Sequence, residues 1–276
     1  MALPTTQNAT LRTLTRPKVN FFTSHQRPST SAGPLKASAT RLFRRSYTNS
    51  RPLRSSRSKI MTITWIIIGI NTAIFSAWQY AKTNRDQNLL HSLYKHTLIS
   101  PDHLAAKLYH TTLTSAFTHE SLGHFAFNMI NLHTFATLLS IHPGLRTANF
   151  LYLTFGSAAA ASLSWLYHTA QNYRRPVGSG GRKTACGASG IIMGLAAAGT
   201  CLAPHAPMTL FFIPVPVPLY VITAAYFFLD TYLLNAEGSR VGHAAHLGGG
   251  AFGVLFYFAR LRGLGGVWSL IRRRLR

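Results

Sequence analysis

Three short segments of this chain hold residues whose types and spacing suit acyl-transfer chemistry. His119-Glu120-Ser121-Leu122-Gly123-His124-Phe125-Ala126-Phe127-Asn128 opens one apolar stretch, Gly187-Ala188-Ser189-Gly190 opens a second, and His243-Ala244-Ala245-His246-Leu247-Gly248-Gly249 lies in a third. A serine hydroxyl is a weak nucleophile until a neighbouring base takes its proton. Ser189 offers the hydroxyl, and His246 offers an imidazole lone pair. Gly187 and Gly190 leave the backbone around Ser189 uncovered, so a carbonyl can approach and meet the Ser189 main-chain N–H. His124 and Asn128 are four residues apart, share one helix face, and can both donate to a developing oxyanion. Losing one such donor typically costs about 2.7–4 kcal/mol of transition-state stabilisation.

Each residue also has a plainer role to weigh. A lone serine in a Gly/Ala-rich helix is usually packing; the conjunction with His246, His124 and Asn128 is what makes Ser189 a nucleophile candidate. His119-Glu120 with His124 looks like a zinc-protease helix, but H-E-x-x-H needs the second histidine one residue earlier, and the shift turns it about 100° away. No metal and no cofactor are therefore expected. His119 is assigned a supporting contact to backbone at a loop junction, His243 a capping or interfacial place, and Met193 packing beneath the histidine. The five acids are Asp86, Asp102, Glu120, Asp230 and Glu237. None is expected in the core, and Asp230 is expected to reach the interface, so the chemistry reads as a Ser–His dyad. Cys186 and Cys201 are read as small hydrophobes, not a disulfide framework.

The elements that must position these residues are membrane helices. Only 12% of the 276 residues are charged and 47% are hydrophobic, which is unlike an ordinary soluble surface. Six apolar stretches, at about 60–81, 119–141, 149–168, 185–203, 215–235 and 241–260, are separated by polar, Pro- or Gly-rich segments and predict an all-α polytopic bundle. Pro214, Pro216 and Pro218 mark the start of the fifth. Residues 82–118 form a connection too charged to span. Residues 1–59 contain no acid and twelve Lys or Arg among Ser and Thr, the composition of an organelle transit peptide and not of a structured domain. Residues 263–276 are a basic tail. With the N-terminus inside, nineteen basic residues fall on the inner side and nine on the outer, which favours N-in, C-in. The net charge of +23 has no nucleic-acid motif beside it, so no nucleic-acid partner is expected.

The three segments together resemble the rhomboid family of intramembrane serine proteases, whose pattern is H-x(4)-H-x(3)-N, G-x-S-G and A-H-x-x-G-x-x-x-G on the second, fourth and sixth core helices. The matching residues are His119, His124 and Asn128, then Gly187, Ser189 and Gly190, then Ala245, His246, Gly249 and Gly253. The similarity covers about residues 60–262. It implies a six-helix domain around a water-filled cavity, with Ser189 below the membrane surface and close packing of Gly190 and Gly194 against Gly249 and Gly253. It also implies cleavage of single-span membrane proteins within the lipid bilayer. Where many members carry Trp-Arg in the first loop, this chain has His110-Thr111. The leader points to the mitochondrial inner membrane, with a cut after Tyr47 preceded by Arg45; Golgi or another endomembrane is the alternative address. Two other functions stand beside proteolysis: a silent relative that binds membrane clients, and a transporter using histidines as a proton relay.

Overall fold

The computed structural model describes residues 51–172, 183–210, 213–236 and 242–275. The candidate cleavage point after Tyr47 and most of the expected leader lie outside these residues. Helix α1 (Arg51–Thr83) already begins at Arg51, so the boundary drawn at residue 60 falls within a helix. It ends where Arg85 turns to a positive φ of 55°, and Asp86 then caps α2 (Gln87–Thr97) by accepting from the Leu89 N–H. The stretch expected as a polar connection is well built. It continues through α3 (Pro101–Ala105), capped by Ser100, and α4 (Thr111–Thr114), then a 3₁₀ turn at Ser115–Phe117.

Helices α5 (Leu122–Ser140), α6 (Thr147–Asn172), α7 (Ser189–Leu202), α8 (Leu219–Tyr232) and α9 (His243–Phe256) occupy the remaining five apolar stretches. Ser121 caps α5, its hydroxyl accepting from the His124 N–H. The Pro-rich segment departs from expectation. Pro207–Leu210 (β1) and Ile213–Pro218 (β2) pair as an antiparallel hairpin, and α8 starts only at Leu219. Alternating prolines fix φ in a range an extended strand tolerates but remove the donors a helix interior requires. The fold of the described residues is helical, as expected, with a small hairpin added at Pro207–Pro218. Among the described residues, Ser56–Thr83 is long and apolar enough to cross a membrane alone, and α9 reaches that length and apolarity only together with the helix after it, across a bend of 68°.

Helix α7 is central, with Gly190 through Gly199 buried without a break. Its glycines let neighbouring backbones approach. A Cβ on Gly249 would strike the carbonyl of Gly190, and one on Gly253 the carbonyl of Gly194, so α9 runs parallel to α7 at closest approach. Helix α6 lies antiparallel against both: Ala161 faces Gly190, Ser157 faces Gly194, and Ser164 faces Gly248. Larger side chains, among them Leu132, Leu139, Phe150, Leu153, Leu195 and Tyr257, fill the rest of the core.

Candidate active site

Ser189 and His246 both lie in the first turn of their helices, at the same end of the parallel α7–α9 pair. That placement exposes a set of unpaired backbone donors. The first N–H groups of any helix lack intrahelical acceptors, and in α7 the first backbone bond runs from Ile192 N–H to the Ala188 carbonyl. The N–H groups of Ser189 and Gly190 are therefore available beside the Ser189 hydroxyl, at the positive end of the helix dipole.

The segment leading to Ser189 is held by the first connection, which sequence reasoning treated as a mere loop. Ile99 and Ala185 exchange two backbone hydrogen bonds, at 3.1 and 3.0 Å. The Gly187 N–H donates to the Ser115 carbonyl at 2.9 Å, and the Ala188 N–H approaches the Nε2 of buried His119 at 3.4 Å. Gly187 has φ of 125°, and a Cβ there would lie 2.9 Å from the His124 ring and 3.8 Å from the Ser189 hydroxyl oxygen. His124, Gly187 and Ser189 therefore meet at one point. Asn128 is buried one turn below, its side-chain amide donating to the His124 carbonyl at 2.8 Å. His119 and His124 meet edge to face at 5.0 Å. In the first connection itself, His110 stacks on His96 with ring nitrogens 3.1 Å apart, and Thr114 donates to the His96 carbonyl, which anchors this stretch without Trp-Arg.

The carboxylate is where the structure corrects the sequence reading. Asp230 does not reach an interface: it is 4% exposed on the inner face of α8. It accepts from His246 Nδ1 at 3.0 Å and from His243 Nδ1 at 2.7 Å. His243 is likewise a buried partner of this carboxylate rather than an interfacial residue. The signal was present in the chain. Asp230 is an acid within an apolar helix, and such a group is too costly to leave unpaired in a bilayer. What spacing alone cannot reveal is which residue pairs with it. Asp230, His243 and His246 also bring three possible ligand atoms within 4.8 Å of one another, a donor set suited to zinc. Asp230 Oδ1 already accepts from both imidazoles.

Both cysteines are free. Cys186 lies three residues before Ser189 in the held segment, and Cys201 at the far end of α7.

The helical bundle thus sets Ser189 at one helix start and His246, bonded to a carboxylate, at a neighbouring one. The chain belongs to the Rhomboid family: residues 106–263, more than half of its length, match the Rhomboid domain. It is similar to Rhomboid protein 1, mitochondrial, of Saccharomyces cerevisiae, with 33% identity over 199 residues, covering 70% of this chain and 52% of the relative. RHOMBOID-like protein 12, mitochondrial, of Arabidopsis thaliana is 30% identical over 210 residues, 71% of this chain and 58% of that protein. The human presenilin-associated rhomboid-like protein, mitochondrial, is 28% identical over 196 residues, 69% and 46% of the two chains. The chain matches about half the length of these relatives. It is an integral protein of the mitochondrial inner membrane.

Proposed function

We propose that this chain is an intramembrane serine endopeptidase that cuts single-span membrane proteins in or near their spanning segment, with Ser189 as nucleophile and His246 as base. The observation that carries this reading is the hydrogen bond from His246 Nδ1 to Asp230. An imidazole that donates from Nδ1 keeps its lone pair on Nε2, the tautomer needed to receive the Ser189 proton. Asp230 thus extends the expected dyad by a third, positioning member.

In the first half-reaction the Ser189 oxygen bonds to the scissile carbonyl carbon while its proton passes to His246 Nε2. The carbonyl oxygen takes up the displaced electron pair within reach of the Ser189 N–H, His124 and, after rotation of its amide, Asn128. Asp230 stabilises the imidazolium formed. His246 then protonates the departing amine as the C–N bond breaks, and water, activated by the same histidine, releases the acyl group. Six helices crossing the bilayer enclose the water this second step consumes. The substrate helix must unwind first, because its own turns shield the peptide bond. Helix α8, begun by the proline hairpin and carrying exposed Tyr226, Phe228 and Tyr232, is the wall past which it enters.

The test is labelling of the purified protein by a fluorophosphonate probe, alongside cleavage of a single-span substrate. Labelling and cleavage are expected in the wild type and lost in Ser189→Ala and His246→Ala, with both variants still folded. A wild-type protein that binds the substrate but is neither labelled nor cutting would establish the silent, client-binding alternative instead.

A further inference from the structure

The end of the bundle away from Ser189 and His246 carries a feature that proteolysis does not use. Beyond α9 the chain passes through a π turn (Tyr257–Leu261) and a 3₁₀ turn (Arg262–Leu264), then bends by 68° into α10 (Val267–Arg274). The elbow is rigid. Gly265 and Gly266 have φ of 118° and 75°, and a Cβ on Gly266 would strike the Cys201 carbonyl at the end of α7. The buried Tyr257 hydroxyl donates to the Gly265 carbonyl at 2.6 Å and accepts from the Trp268 N–H at 2.9 Å. In the crook of this elbow lies an open cleft of about 730 Å³ walled by Arg260, Arg262, Arg272, Arg273, Trp268 and Ser269.

Four guanidinium groups around one concavity concentrate positive potential there, which favours an anion among them. No Asp or Glu follows Glu237 in the sequence. The Arg262 guanidinium sits 5.5 Å from the Trp268 ring centre, which restricts one of the four. Arginine presents a planar fork of donors that matches phosphate oxygens. The surroundings identify which phosphate. Helix α10 and its C-cap combine exposed Leu270, Ile271 and Leu275 with Arg272, Arg273 and Arg274, the composition of a helix lying in the membrane–water interface. The cleft lies beyond the C-terminal end of α9, whereas His246 lies in its first turn, so the two sit at opposite ends of that helix. Gly144, in the turn between α5 and α6, approaches Leu264, so Arg146 belongs to the same basic end.

We propose that this cleft binds the phosphodiester headgroup of an anionic phospholipid, in the leaflet on the side away from Ser189. The exposed apolar residues of α10 lie along the acyl chains, and the arginines hold the phosphate.

Native mass spectrometry on the full chain, delipidated in detergent and offered phosphatidylglycerol or phosphatidylcholine, reads this directly. Phosphatidylglycerol adducts are expected on the wild type, with phosphatidylcholine at least ten-fold weaker. Arg272→Gln with Arg273→Gln, both on the exposed side of α10, is expected to lower phosphatidylglycerol retention about ten-fold or more. Arg272→Lys with Arg273→Lys should retain most of it. Retention unchanged in the glutamine variant, or equal for the two lipids, would overturn the proposal. So would displacement of bound phosphatidylglycerol by millimolar inorganic phosphate, which would make the cleft a site for free phosphate. Fluorophosphonate labelling at Ser189 should not differ between these variants and the wild type, which separates this result from the fate of the proteolytic reading.

Discussion

Asp230 and His246, sixteen positions apart and on different helices, meet side chain to side chain, with both carboxylate oxygens within 3.1 Å of the same ring nitrogen. Neither helix could place the other's residue alone. The carboxylate engages Nδ1 of the imidazole, and His243, one turn before His246 on α9, holds the same carboxylate from a second direction.

Replacing Asp230 with Asn should therefore lower kcat more than it changes KM. The amide is nearly isosteric but can present a donor to Nδ1, which moves the ring proton to Nε2 and removes the base. A drop on the order of 10²–10⁴-fold is expected, the upper end being that seen when a triad carboxylate is neutralised. Steady-state cleavage of a single-span substrate measures it. A variant within two-fold of wild type would reduce Asp230 to a structural role.

The oxyanion donors give a smaller and separable loss. His124→Ala and Asn128→Ala should each lower turnover by about one to three orders of magnitude while Ser189 still reacts with a small phosphonate probe. Wild-type turnover in both would assign oxyanion stabilisation to the α7 backbone alone.

Gly187 should tolerate no side chain. Its φ of 125° strains any other residue by about 1–3 kcal/mol, and the added Cβ would sit 2.9 Å from His124. Gly187→Ala is expected to impair cleavage at least as much as His124→Ala, read in the same assay. Equal activity to wild type would mean that the segment before Ser189 can relax without moving the site.

Two glycine substitutions of the same kind should behave oppositely. Gly249→Ala drives a methyl into the Gly190 backbone and must separate α7 from α9. A loss of about 1–3 kcal/mol in stability is expected, with cleavage lost as Ser189 and His246 move apart. Gly69→Ala, on the exposed side of α1 with nothing within 4 Å, should leave both unchanged or slightly improved. Thermal unfolding in detergent, paired with the cleavage assay, distinguishes them; matching behaviour of the two variants would contradict the close α7–α9 contact as the determinant.

The unwinding requirement makes a claim about substrates. A test helix with Gly, Ala, Ser or Pro near the cut should be cleaved at least ten-fold faster than the same helix rewritten in Leu, because helix opening in hydrocarbon leaves backbone groups unpaired. Equal cleavage rates for the two helices would show that substrates are chosen by another feature.

Much of this protein is legible from residue order. Apolar runs of helical length can bury their backbone polar groups only by closing their own hydrogen bonds, so the helices at the six stretches follow from composition and period. Ser189, His246, His124 and Asn128 stand out because polar groups in such runs are costly and these four suit one reaction. The Gly-x-x-x-Gly spacing in α7 and α9 announces close packing, but only the fold specifies that the two are each other's partners, and that they run parallel. Prolines at alternate positions tell equally of a helix start or of an extended strand, and the pairing of Thr209 with Pro216 decided for the hairpin. The partner of Asp230, the clamp of Ile99 on Ala185, and the meeting of four arginines across an elbow are all contacts between residues distant in the chain. Local pattern carries no information on such contacts, because they exist only once helix packing has chosen which faces touch.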